Sequence, residues 1–134
     1  MAPVLAELEK SEKLSSKICV TAQHREMLDE VLNFFGIVPD YDLGLMVHNQ
    51  GLHKLFSAVV DRTSEIILDE RPDLVLVHGD TVTASAACVS SYLSKVPIAH
   101  VEAGLRSGEI YSPWPEEGSR KLVASLARFH FAPT

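Results

Sequence analysis

The stretch that decides the fold is residues 73–106, DLVLVHGDTVTASAACVSSYLSKVPIAHVEAGLR. It opens with a short apolar run at 73–77, continues with a helical pattern at about 82–94, and returns to an apolar run at 97–101. Short apolar runs separated by a helix are typical of parallel strands, because the crossover helix packs over the sheet and buries it. This stretch therefore predicts two parallel strands joined by a helix.

Strand and helix patterns alternate along the rest of the chain. Gly36 and Pro72 end two of the helices, because glycine adopts the left-handed conformation easily and proline cannot continue a helix. The pattern predicts a single α/β domain over residues 1–134, with a three-layer, doubly wound, Rossmann-like parallel sheet. The further elements expected are strands at 17–21 and 129–131, helices at 1–13, 24–35, 52–70 and 115–127, and a loop at 39–44.

The composition limits the kinds of partner. The 134 residues carry a net charge of −6, so we expect no nucleic-acid or anionic-membrane partner, because such binding needs a basic surface. The apolar runs are shorter than the roughly 20 residues that cross a bilayer. No signal peptide is recognisable, so we expect a cytoplasmic protein. Cys19 and Cys88 lack a CxxC spacing and are expected to be buried thiols.

Acidic residues follow two successive predicted strands. Asp80 comes just after the first strand of the deciding stretch and Glu102 just after the second, while Glu116 and Glu117 stand at the start of the next helix. Ligands of an open parallel sheet bind beyond the carboxyl ends of its strands. Several carboxylates at one edge suit proton transfer, because repulsion and burial can keep one protonated while another is ionised.

Each acid also has a structural interpretation. Asp80 could cap the helix that begins near Val82, and Glu102 could pair with Arg106. Glu116 and Glu117 could simply favour the positive end of their helix. The alternatives are left open at this point.

Histidines and arginines accompany the acids. His78, His100 and His130 lie in apolar runs, where a hydrogen-bonded core histidine is the commoner role. A metal site built from His78, Asp80, His100 and Glu102 is chemically feasible, but no specific ligand spacing supports it, and we expect no metal. Neither GxGxxG nor GxxxxGK[ST] is present, which argues against a nicotinamide or P-loop site. The arginines best placed to bind an anion are Arg25, Arg106 and Arg120.

Four motifs together resemble one family. The strings TAQHREM at 21–27, VLVHGDT at 75–81, HVEAGLRSG at 100–108 and YSPWPEE at 111–117 are similar to those of the bacterial non-hydrolysing UDP-N-acetylglucosamine 2-epimerases. They occur in the family's order and at similar separations along essentially the whole chain. The last two strings differ from those of the hydrolysing relatives.

The resemblance implies the N-terminal half of a two-domain GT-B enzyme, with the active site between the two halves. Such an enzyme interconverts UDP-N-acetylglucosamine and UDP-N-acetylmannosamine, by elimination and re-addition of UDP, without a cofactor or metal. It supplies precursors of bacterial cell-surface polysaccharides, and the whole enzyme is expected to be a homodimer. The resemblance also implies that the first strand of the sheet and the C-terminal domain are missing, so we expect the chain alone to be inactive.

The resemblance also implies roles for single residues. Asp80, Glu102 and Glu116 match the catalytic carboxylates, and His78, Arg106 and Arg120 are expected to contact the UDP-sugar substrate. Gln23 and His24 fall where some members bind a second UDP-N-acetylglucosamine as an allosteric activator. The chain departs from that activator site, because Glu26 and Asn49 stand where those members carry glutamine and arginine. Two further hypotheses are a GT-B glycosyltransferase and a binding module without catalysis.

Overall fold

The computed structural model describes residues 1–22, 25–45 and 50–133. The chain divides into two compact units, Met1–Asn49 and Gln50–Thr134. Its strands are parallel within each of the two sheets that they form, so the predicted α/β class with parallel strands is confirmed. In the described residues, no helix combines the length and the apolar character needed to cross a membrane.

The first unit contains α1 (Ala2–Glu9), β1 (Cys19–Val20), α2 (Arg25–Phe35) and β2 (Tyr41–Asp42). β1 and β2 form a two-stranded parallel sheet in which Cys19 pairs with Tyr41. The expectation of a plain loop at 39–44 is therefore wrong. The Asp40 carboxylate accepts a hydrogen bond from the Ile18 N–H at 2.8 Å, which holds the beginning of β2 against β1.

The first unit buries few apolar side chains. α2 has the predicted bounds as far as it is described, and its last residue is followed by Gly36, whose φ is 65°. Over residues 25–35, all of which the structure describes, α2 buries no side chain, and Met27 and Phe35 are exposed. Cys19 is also exposed and Cys88 is buried, so the expectation of two buried thiols is wrong for Cys19. Cys19 lies in a strand of only two residues, too short to build a covered sheet around it.

The second unit contains α3 (Leu52–Glu70), β3 (Val75–His78), α4 (Val82–Leu93), β4 (Ile98–Val101), α5 (Glu116–Leu126) and β5 (Phe129–Phe131). Its sheet has the order β3-β4-β5, with every pair parallel. β4 is therefore the central strand of this sheet. The neighbouring positions of β3 and β4 bring the ends of the two strands of the deciding stretch side by side.

α4 is the centre of the packing in the second unit, since it contacts both β3 and β4 and also the helices α3 and α5. Its buried face is made of small residues, which allow a close approach by neighbouring helices, and the Ser90 hydroxyl donates to the Val60 carbonyl of α3 at 3.2 Å. α3 faces it with a buried stripe at helical spacing. That stripe is Leu55, Val59, Thr63 and Ile67. The hydrophobic core, to which α4 itself contributes two residues, is Val77, Ala84, Cys88, Ile98 and Val123.

Candidate active site

The ends of β3 and β4 form one edge, which we call the carboxyl edge: residues 78–80, which include the last residue of β3, and Glu102, which follows β4. The register pairs His78 with Val101, so the residues that follow the two strands emerge together. The Nε2 atom of His78 lies 3.1 Å from Oε2 of Glu102. His78 and Glu102 therefore meet directly at this edge.

Two left-handed residues shape the carboxyl edge. Glu102 has a φ of 68° and Gly79 a φ of 72°. A left-handed conformation costs a non-glycine residue about 1–2 kcal/mol, and such residues occur often at functional sites. A Cβ added to Gly79 would lie 3.6 Å from Oε2 of Glu102, so at this position it is the positive φ, rather than a lack of space, that favours glycine.

Asp80 is bound to Arg120 of α5. The Nε atom of Arg120 donates to Oδ2 of Asp80 at 2.8 Å, and Nη2 lies 2.6 Å from the same oxygen. Asp80 does not cap α4, because the N-cap is Thr81, whose hydroxyl accepts from the Ala84 N–H at 3.1 Å. The capping interpretation of Asp80 is therefore wrong, and its carboxylate is committed to an ion pair.

Arg120 also binds a second carboxylate, that of Glu117. Its Nη1 atom lies 3.3 Å from Oε2 of Glu117, and the Ser107 N–H donates to that oxygen at 3.0 Å. Glu117 is completely buried. The Ser107 N–H lowers the pKa of Glu117, with help from Arg120, and this outweighs the opposing effect of burial.

The sequence placed Glu117 beside Glu116 at the start of a helix but assigned it no role in the site. Its spacing of three from Arg120 on one helix is a signal for an ion pair, but surface pairs share that spacing. Its burial depends on the loop at residues 102–108, which returns to α5 and donates the Ser107 N–H. The contact between this loop and α5 has no signal in the local sequence, so the burial of Glu117 could not be predicted.

Glu116 is the first residue of α5. Its Oε2 atom is buried and has no hydrogen-bond partner among the described residues. A buried carboxylate oxygen is normally satisfied, so this oxygen is a candidate contact for a ligand. The preference of acids for a helix N-terminus also applies to Glu116, and the two interpretations are compatible.

The histidines differ in environment. His100 is buried and its Nε2 donates to the Gly79 carbonyl at 2.8 Å, which confirms the core interpretation for His100. His130 is exposed in β5, so the same interpretation is wrong for it, because β5 ends the sheet order and carries no buried residue. His78 is about half exposed, and its partial burial lowers its pKa, against the opposing effect of Glu102.

The arginines are also placed differently. Arg106 is exposed and its Nη1 donates to the Leu105 carbonyl at 2.6 Å, while Glu102 contacts His78. The structure thus gives no support to the alternative Glu102–Arg106 pair. Arg25 lies in the first unit, where it is paired with Asp42 and with Asp29. It is bound to acids of its own unit rather than presented to a ligand.

Two expectations concern sites away from the acids. Gln23 and His24, expected at an activator site, lie outside the described residues. Within residues 1–22, 25–45 and 50–133 no three His, Cys, Asp or Glu residues are clustered as metal ligands. His78, Asp80, His100 and Glu102, considered above as a metal set, bind in the structure to one another, to Arg120 or to backbone.

This is a parallel α/β domain with paired acidic and basic side chains at the carboxyl ends of adjacent strands. A family profile described as "UDP-N-acetylglucosamine 2-epimerase" matches residues 6–134. The chain belongs to that family.

Individual relatives agree with this assignment. A UDP-N-acetylglucosamine 2-epimerase of Salmonella typhimurium is 52% identical over 134 residues, which are 100% of this chain and 36% of that protein. A UDP-GlcNAc 2-epimerase of Neisseria meningitidis, solved bound to UDP-GlcNAc, is 50% identical with a TM-score of 0.96, over 100% of this chain and 36% of that one.

A more distant structure is that of a Methanocaldococcus jannaschii UDP-GlcNAc 2-epimerase in complex with UDP-GlcNAc and UDP. It is 31% identical with a TM-score of 0.90, over 99% of this chain and 36% of that one. The chain therefore spans about a third of the length of the relatives that it matches.

Proposed function

We propose that this chain supplies the acid/base groups of an enzyme that interconverts UDP-N-acetylglucosamine and UDP-N-acetylmannosamine. The observation that carries the proposal is the arrangement at the carboxyl edge. Glu102 meets His78 at 3.1 Å, and Asp80 is held by Arg120 one turn along α5 from Glu116. Membership of the epimerase family supports the same chemistry.

The reaction needs several proton-transfer groups. In the first half, a base takes the proton from C2 of the sugar, the C2–H electrons form a C1=C2 double bond, and the C1–O bond breaks with UDP as the leaving group. In the second half, UDP returns to C1 while an acid delivers a proton to the opposite face of C2. A C2 proton is weakly acidic, so both halves require positioned acid and base groups. Asp80, Glu102 and Glu116 fill these roles in our proposal.

The basic groups have a complementary role. The relatives solved with UDP-GlcNAc and UDP support a UDP-sugar as the substrate class. We assign His78 and Arg106 as substrate contacts, since both are exposed, His78 against Glu102 and Arg106 four residues further along the chain. Arg120 is a further contact in this proposal, although its two carboxylate partners mean that it chiefly orients Asp80.

The cofactor requirement, location, oligomeric state and pathway of the enzyme are proposed from the resemblance of the four motifs to the family. We propose that it works without a cofactor, in the cytoplasm, as a homodimer, and that its product enters cell-surface polysaccharide synthesis. The activator role of Gln23 and His24 stays a prediction.

A chimera tests the proposal, because the chain spans only 36% of its relatives. In it, these 134 residues replace the matched stretch of the Neisseria meningitidis enzyme. We expect the chimera to convert UDP-N-acetylglucosamine to UDP-N-acetylmannosamine. NMR of the nucleotide sugars measures this conversion. The matched control carries Glu65→Gln, an exposed change on α3, and should be equally active. A folded chimera that transfers the sugar to an acceptor, or that does no chemistry, would contradict the proposal.

A further inference from the structure

One guanidinium is shared between two acids in the second unit. Arg120 contacts Oδ2 of Asp80 through Nε and Nη2, at 2.8 and 2.6 Å, and Oε2 of Glu117 through Nη1, at 3.3 Å. The Arg120 side chain is 16% exposed and Glu117 is 0% exposed. One positive charge therefore serves two carboxylates in a largely buried setting.

The two acids differ in what they can reach. The Asp80 side chain is 27% exposed, so it can meet a ligand at the carboxyl edge, whereas Glu117 has no exposed surface. Glu117 is fixed by the Ser107 N–H, and its lowered pKa keeps it ionised. Arg120, which contacts both acids, therefore links the buried Glu117 to the exposed edge of Asp80.

Simple electrostatics predicts the direction of that influence. A lone arginine in contact with a carboxylate strongly favours its charged form, while a like charge nearby disfavours it. With Glu117 present, the two carboxylates and Arg120 carry a net charge of −1 rather than 0. The second carboxylate thus weakens the bias of Arg120 toward an anionic Asp80.

We propose that Glu117 is a positioning residue that divides Arg120 between itself and Asp80, which leaves Asp80 able to exchange a proton during the reaction. The catalytic part of this inference rests on the proposed function. The division of the charge is a property of the folded chain and can be tested without activity.

Other charged or titratable groups surround the trio. On α5 they are Lys121, whose Nζ lies 3.7 Å from Oε1 of Glu117, and Glu116. From the strands they are His100, Glu102 and His78, and His78 interacts electrostatically with the other two and with Asp80. Lys121 is 44% exposed and pairs with Glu117, whereas Arg120 contacts both acids, so Arg120 is the link to Asp80.

The first test is a double-mutant cycle on the 134-residue chain, read as Tm. Asp80→Asn and Glu117→Gln each leave Arg120 with one carboxylate, while the double variant leaves a mostly buried cation with none. The Tm loss of the double variant should exceed the sum of the single losses by about 3 °C or more. Asp80→Asn combined with Glu65→Gln, on α3 and 63% exposed, is the control and should be additive. Additive losses in the first pair would overturn the shared charge.

Two variants guard against a failure to fold. Glutamine keeps the size of Glu117 and can still accept from Ser107. If the glutamine variant does not melt cooperatively, the cycle is repeated with Glu117→Asp, which withdraws the carboxylate from Arg120 by one methylene and should give non-additivity of the same sign.

The second test is the pH profile of kcat in the chimera. Removing the Glu117 charge favours the anionic form of Asp80, so whichever limb of the profile Asp80 governs should move to lower pH. Glu65→Gln should leave the profile in place. An active chimera with an unmoved profile would overturn the inference while the proposed function stands. Non-additive melting with an inactive chimera would instead show that the charge is shared and that the proposed function has failed.

Discussion

The imidazole of His78 and the carboxylate of Glu102 face each other across the ends of two adjacent strands, with Nε2 and Oε2 3.1 Å apart. The side chains are 45% and 43% exposed, so both are open to a ligand. Burial disfavours the imidazolium of His78, whereas the Glu102 carboxylate favours it. Burial is the larger effect, and the pKa of His78 lies below its ordinary value.

The lowered pKa of His78 predicts a pH dependence of stability. The folded chain binds fewer protons at His78 than the unfolded chain, so its stability should fall as the pH drops below about 6.5 and through the folded pKa. NMR titration of the imidazole should give a pKa below 6.5, and Glu102→Gln should lower it further. In His78→Gln this part of the pH dependence should vanish. A His78 pKa above 6.5 would show that Glu102, and not burial, dominates.

The cap of α4 gives a prediction that separates Thr81 from Asp80. Thr81→Ala removes the hydroxyl that accepts from the Ala84 N–H and should lower the free energy of unfolding by about 1 kcal/mol. Thr81→Ser keeps the hydroxyl and should cost much less. Urea denaturation of the two variants measures the difference. Equal losses would mean that the hydroxyl does not stabilise the helix.

Two of the carboxylates can be tested with little disturbance of the fold. In the chimera, Glu102→Gln and Glu116→Gln should each lower kcat by about 10²-fold or more, the usual scale for positioned acid/base groups. Tm should change little for Glu102→Gln, because its side chain is 43% exposed. Steady-state kinetics measures kcat, and thermal melting measures Tm. Unchanged kcat in a folded Glu102→Gln chimera would remove Glu102 from the proton-transfer groups.

Glu117 predicts a loss of stability in acid. Its pKa is lowered in the folded chain, so its stabilising effect is present above its unfolded pKa, roughly 4.3, and is lost as the pH falls through the folded pKa. The stability of the wild-type chain should therefore fall toward that of Glu117→Gln on acidification. Thermal melts of both proteins between pH 3 and pH 7 follow the difference, and a constant difference across this range would contradict the assignment.

The sequence predicted the elements with strong periodicity. α3 has the expected bounds of Leu52–Glu70, because its apolar spacing is regular and Pro72 follows it. β2 was missed, since Tyr41–Asp42 is only two residues long and forms through its pairing with β1. Pairing between strands that are distant in the sequence gives no signal in the local pattern of residues.

Only part of the site was predictable, because some of its contacts join residues that are far apart in the sequence. The neighbouring positions of Asp80 and Glu102 follow from the order of two parallel strands, which the apolar runs reveal. The partners of these acids do not follow, because Arg120 reaches Asp80 from 40 residues further along the chain. The role of Glu117 also depends on a loop closure, through the Ser107 N–H.

The fate of the C2 proton is the most direct test of the central claim, that carboxylates at the carboxyl edge exchange it. The chimera is incubated with UDP-N-acetylglucosamine in deuterated water, and the recovered nucleotide sugars are analysed by mass spectrometry and NMR. We predict UDP-N-acetylmannosamine that carries deuterium at C2. Epimerised product with only hydrogen at C2 would contradict the claim, because elimination and re-addition through these side chains would not then be the route.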